Sequence, residues 1–217
     1  MSDIFREVDE EVRREQLQKL WDNYGIYIIA LAVLIVVAVG GWRTYEWWET
    51  KRAAENGAAF EAAGALIGQG KSQEAEAALT QLAKDGTASY RVLAKLREAG
   101  LIAQRDPKAA VALYDALAAD ASAGQTVQDL AALRAGLVLV DTGSYDDVRK
   151  RLEPLTDASR AFRHSARGLL ALSAWRTGDT TAMKRWADMV MADTETPTNI
   201  RSQVEILTMV APAASKS

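Results

Sequence analysis

Between Tyr24 and Trp42 the chain carries one uninterrupted apolar run, and the residues on either side of it are soluble in character. Gly25 to Gly41 holds only Gly, Ala, Val, Leu, Ile and one Tyr, with no charge and no amide. A helix rises about 1.5 Å per residue, so Gly25–Trp42 covers close to the ~30 Å hydrocarbon layer of a bilayer. The flanks agree. Trp21, Tyr24 and Tyr27 sit at one rim, and Trp42, Tyr45, Trp47 and Trp48 sit at the other. Four of the six tryptophans therefore crowd around this segment, as an aromatic belt at two membrane interfaces requires. The run predicts a transmembrane helix with its interface over residues 24–47, preceded by a short polar segment, residues 1–23.

Two rival readings compete with this one. A buried core helix can be equally apolar, but it rarely places aromatics at both rims. A cleaved signal peptide has a candidate site in Ala38-Val39-Gly40. Against cleavage, the segment before the run is acidic and over twenty residues long, and the run exceeds the usual ~7–15 apolar residues. The reading is a signal anchor. Orientation does not follow from charge: Arg6, Arg13, Arg14 and Lys19 upstream nearly balance Arg43, Lys51 and Arg52 downstream.

Upstream of the run, Ile4, Phe5, Val8, Val12 and Leu20 recur at helix-compatible spacings. Residues 1–23 carry four basic and seven acidic side chains, and an anionic helix is a poor ligand for anionic lipid or nucleic acid. A solvated helical lead-in to the membrane is the expectation, with a cytosolic protein contact as the alternative.

The 165 residues from Ala53 onward are enough to bury a core, and they are rich in Ala, Leu, Gln, Glu and Arg. Turn signals recur at Gly70-Lys71-Ser72, Arg105-Asp106-Pro107, Gly143-Ser144-Tyr145 and Gly178-Asp179-Thr180, in steps of 35, 38 and 35 residues. A period near 34 with two helices per unit marks tetratricopeptide-type repeats. The same offsets are apolar in every copy. Five, nine and twelve residues past each mark lie Ala75, Leu79 and Leu82; Ala110, Tyr114 and Leu117; Val148, Leu152 and Leu155; Met183, Ala187 and Val190. Those offsets share one helix face.

Seven residues before the marks lie the small residues Ala63, Gly136 and Ala171, which let paired helices approach closely. The second unit has Glu98 there, so its first helix is expected to be shifted by one. The longer step implies extra residues around Asp120 to Gly124. Pro197 to Val210 reads as a closing helix, and residues 211–217 as a loose tail. The fold class is all-α: one N-terminal transmembrane helix, then a tetratricopeptide-like solenoid of about four hairpins plus a C-terminal helix over residues 48–210.

Chemistry for catalysis is missing from the pattern. With no cysteine, there is no disulfide, thiolate metal site or thiol nucleophile. His164 is the only histidine and is read as structural. No Gly-rich phosphate loop occurs, and Asp146-Asp147 suit a helix start. From Ala53 on, 19 basic and 20 acidic residues leave no field to steer a polyanion. The expectation is a non-enzyme without catalytic residues, metal, cofactor, nucleic-acid partner or small-molecule substrate.

The span ending in Gly41-Trp42-Arg43-Thr44-Tyr45, the polar start Asp3-Ile4-Phe5-Arg6-Glu7-Val8 and the repeat domain together resemble a bacterial family. It is the YfgM-type ancillary subunit of the SecYEG translocon, also called the tetratricopeptide repeat-like family. The resemblance covers essentially the whole chain. It implies a single-pass inner-membrane protein, N-terminus cytoplasmic and repeats periplasmic. It also implies partners in the protein-export channel and a membrane-anchored periplasmic chaperone of the prolyl-isomerase type. The implied role is to help exported chains reach periplasmic folding factors. The alternative keeps the architecture but makes it an adaptor for cell-envelope assembly or cell division.

A binding role also follows from the residues. First helices of such repeats line a concave groove. Counting back from the turn marks nominates Phe60, Ile67, Val92, Ile102, Leu130, Leu133, Leu137, Val140, Leu172 and Trp175. These suit hydrophobic segments of non-native chains or a partner helix. With Asn only at positions 23, 56 and 199, a clamp for charged tails is not expected. The competing reading makes the ten ordinary core side chains.

Overall fold

The computed structural model describes residues 3–210, with side chains described from Trp21 onward. The amphipathic pattern of Ile4 to Leu20 and the tail 211–217 therefore lie outside the described side chains and residues. Nine α-helices and two 3-10 turns make up the described residues, and no strand occurs among them. The chain divides into two compact units, residues 1–55 and 56–217. Helix α1, Asp3–Gly68, gives its apolar stretch to the first and residues 56–68 to the second.

In the first unit, the apolar stretch is long and apolar enough to cross a membrane, by length and composition, and only 6% of that window is buried. A signal sequence satisfies the same length and composition, whereas a soluble core helix would be mostly covered. Trp21, Tyr24, Trp42, Tyr45, Trp47 and Trp48 all project outward. Lys51 Nζ lies 5.5 Å from the Trp47 ring centre and the Arg52 guanidinium 4.7 Å from that of Trp48, so both cations lie along aromatic faces.

In the second unit, α2 (Ser72–Asp85), α4 (Pro107–Ala118), α6 (Tyr145–Leu152) and α8 (Thr180–Ala192) are the second helices of four hairpins. The first helices are the end of α1, then α3 (Ala88–Ile102), α5 (Gln125–Thr142) and α7 (Arg163–Arg176). Helix α9, Thr198–Val210, packs on α7 and α8. Each second helix starts two residues past its turn mark, and the residue between serves as the N-cap. Asp106, Ser144 and Asp179 accept a backbone N–H three residues on, filling an orphan donor of the first turn. Gly70 and Gly178 adopt φ of +75° and +80°, the left-handed conformation that only glycine takes without strain, and so close the first and fourth turns tightly.

That shared start fixes the register of the second helices. All twelve positions predicted to face inward are buried. The first helices obey a looser rule, because they end one to three residues before the mark. Ala63 and Ala171 are buried at the small position, and at Gly136 a Cβ would come within 2.5–2.8 Å of three Leu152 side-chain atoms. In α3 the buried small residue is Ala99, one beyond Glu98, while Glu98 accepts from Thr80 at 2.7 Å. The extra residues of the long step form a 3-10 turn, Ala121–Ala123, capped by Asp120 and followed by Gly124. A second 3-10 turn, Glu153–Thr156, contains Pro154, which cannot continue α6.

Candidate binding groove

Each first helix has two apolar faces. One, built from small residues, packs against the second helices. The other carries larger side chains, such as Phe60, Leu96, Leu133 and Leu172, that pack against the hydrophobic clusters and stay half-exposed. Because α5 and α7 are neighbours, and α9 lies along α7, these half-exposed faces line an open cavity of about 760 Å³. Leu130, Leu133 and Leu137 of α5 form one wall, Leu169 and Leu172 of α7 the floor, and Ile200, Ile206 and Leu207 of α9 the other wall. A second cavity, about 440 Å³, lies among Phe60 and Ile67 of α1, Leu93, Leu96 and Leu101 of α3, and Leu130. The two lie on either side of Leu130 and Arg134 of α5, and together they make up an apolar trough.

The structure brings Phe60, Ile67, Leu130, Leu133, Leu137 and Leu172 into this trough. Ile102 and Val140 are instead buried between helices, at 8% and 3% exposure. Val92 packs against the cluster around Tyr114, and Trp175 is exposed away from both cavities. The physical reason is the variable turn. One residue more or less rotates a helix face by about 100°, so counting back from the mark lands on different faces. In α3 the trough is lined by Leu93, Leu96 and Leu101, none of them nominated from sequence. The sequence makes α9 a closing helix and does not nominate it as a wall. Its signal was present: Ile206 and Val210 are apolar beyond Ile200, Val204 and Leu207, which already supply one packing face.

The wall formed by α9 is strapped to α7 by a polar network. Arg167, buried, donates to Thr156 O at 2.7 and 3.2 Å and to Asp193 Oδ2 at 2.9 Å. Arg163 reaches Asp193 and Glu195, and Arg201 donates to Met191 O and Asp193 O at 2.9 Å. The Thr196 hydroxyl donates to Val190 O at 2.9 Å and lies 3.1 Å from His164 Nδ1. Burial pushes the His164 imidazole below its ordinary pKa, and the adjacent Arg163 cation adds to the shift. Burial pushes the Asp193 carboxyl up, but the Glu195 N–H and the Arg167 and Arg163 guanidiniums together hold it below the usual carboxylate range.

His164, Asp193 and Glu195 place potential ligand atoms within 4.8 Å of one another. The carboxylates of that group face Arg163 and Arg167, whose guanidiniums supply the positive charge. The set suits a structural strap rather than a cation site.

With repeat spacing, second-helix register and a first-helix trough in view, the comparison with known families is specific. A profile described as a tetratricopeptide repeat-like domain matches residues 18–183. The chain belongs to that family. No curated protein and no solved structure matches it. Tetratricopeptide repeat-like domains mediate contacts between proteins and are typically not enzymes, so the trough belongs to a protein-interaction scaffold.

Proposed function

We propose that this protein is a membrane-tethered scaffold whose trough receives apolar segments of other polypeptides. The carrying observation is the trough: a mostly apolar concavity, left open by the helices of its own unit. A contiguous apolar surface left open in this way marks a site of contact with another polypeptide. Apolar segments of non-native chains, or one face of a partner helix, have the matching chemistry.

The tether is the stretch from residue 24 to 47. Trp21 and Trp42 are separated by roughly 31 Å of helix axis at ~1.5 Å per residue, matching the distance between two interfaces. The sequence resemblance supplies a finer assignment: a bacterial inner-membrane protein with a cytoplasmic N-terminus and periplasmic repeats. Its partners would then be export-channel subunits and a membrane-anchored periplasmic chaperone, its clients chains leaving the channel. This assignment rests on the resemblance alone.

A photocrosslinking residue at Leu133 or Leu172 of the full chain in its membrane tests the reading. Adducts with newly exported polypeptides and channel subunits are expected; adducts only with division or cell-wall proteins would replace the export role with an envelope adaptor. A reporter joined after Ser217 tests orientation, and activity solely from a cytoplasmic reporter would reverse it.

A further inference from the structure

The polar groups of the trough are one-sided. The smaller cavity is lined by Arg97, Gln104, Tyr114 and Arg134 besides its apolar walls, and no acidic side chain lines either cavity among the described residues. Arg97 and Arg134 are both exposed to solvent, and neither has a hydrogen-bond or ion-pair partner among the described residues. Elsewhere in the repeats the guanidiniums of Arg151, Arg160, Arg163 and Arg167 are all engaged with carboxylates.

Tyr114 is 4% exposed, and burial pushes its phenol above its ordinary pKa, against the lowering influence of Arg134. Its hydroxyl is therefore held neutral, with a proton to donate. Two guanidiniums and a phenol on the lining of the smaller cavity form a donor set with no acceptor beside it on that lining. A carboxylate is the acceptor that fits: it takes paired N–H bonds from Arg, and the apolar surroundings strengthen them.

We propose that the trough is selective for apolar polypeptide segments carrying an acidic side chain, which Arg134, between the two cavities, and Arg97, in the smaller one, receive. This rests on the reading of the trough as a polypeptide-binding groove and names the class of segment. The acid needs to be internal to an apolar stretch, because Leu130 and the leucines of α3 and α5 flank the arginines on both sides. The arginines give register: an apolar segment alone slides along an apolar trough, whereas one charged pair fixes its position.

The test titrates the full chain, held in detergent micelles, with a fluorescent Leu- and Ala-rich helical peptide bearing one central Glu, read by anisotropy. Two further peptides carry Gln or Lys in its place. Glu binding about tenfold tighter than Gln, and Lys weaker still, is the expected order for one charge-assisted contact. Arg134→Gln should bring the Glu peptide to the Gln level without changing the Gln peptide, and Arg134→Lys should restore part of the difference. Circular dichroism of each variant confirms that an exposed substitution leaves the helices intact. Equal affinity for Glu and Gln peptides, or a preference unmoved by Arg134→Gln and Arg97→Gln, overturns the selectivity while leaving the groove reading intact. No binding of any peptide overturns both.

Discussion

Gly136 and Gly64 are both helical glycines, yet they meet opposite surroundings. A Cβ at Gly136 would press on three atoms of Leu152, which is fully buried, whereas one at Gly64 would meet nothing within 4 Å. Gly136→Ala should lower unfolding stability by about 1–3 kcal/mol through overpacking. Gly64→Ala should raise it by about 0.5–1 kcal/mol, since a helix interior favours Ala over Gly. Chemical denaturation of the two variants reads both signs; a Gly136→Ala variant as stable as the parent would show that α5 and α6 are not in close contact.

His164 supplies a second residue-level prediction. Its ordinary pKa near 6.5 is lowered in the fold, so folding favours the neutral ring. The stabilisation from the neutral ring is fully present above the unfolded value and is lost as pH falls through the lowered folded value. The Asp193 carboxylate, also lowered, adds a loss at more acidic pH, as its folded value is crossed. Melting temperature should therefore fall in two stages on acidification, and His164→Gln should flatten the first. The groups facing the ring are Arg163, Arg167, Asp193 and Glu195. An unchanged slope in His164→Gln would assign the acid sensitivity to the carboxylates alone.

At the scale of elements, the second helices were legible because a local chemical event starts each one. A cap residue one past the turn mark fixes where the helix begins, and the 3.6-residue period then fixes which side chains face inward. Replacing Asp106 or Asp179 by Ala should each cost about 1 kcal/mol, measured by thermal or denaturant unfolding. Loss of neither cap mattering would mean that packing alone sets the register. The first helices lacked such an anchor near the face that matters. Their ends vary with turn length, so Val92, Ile102, Val140 and Trp175 were placed on the trough by a count that slips. Helix α9 was legible as a helix, through Pro197 and its apolar spacing, but not as a wall, because a wall is defined by what stands opposite.

The whole molecule is two units with different solvents in prospect. The repeat unit holds its own hydrophobic clusters, around Leu79, Tyr114, Leu170 and Val190. A chain beginning at Asn56 should therefore unfold cooperatively and leave the membrane fraction, while the full chain resists alkaline extraction. Release of the full chain by that treatment would remove the tether.

Sequence by itself determined the long apolar helix, the repeat period and the inward stripe of every second helix. Each of these is written in spacing along one segment: a length, an interval, a helical period. Only the tertiary structure decided that the half-exposed faces of α3, α5, α7 and α9 line two adjoining cavities, and that Arg134 stands between them. Such a surface is shared by helices far apart in the chain. The angle at which each presents its side chains depends on turn lengths and packing, which no single segment encodes.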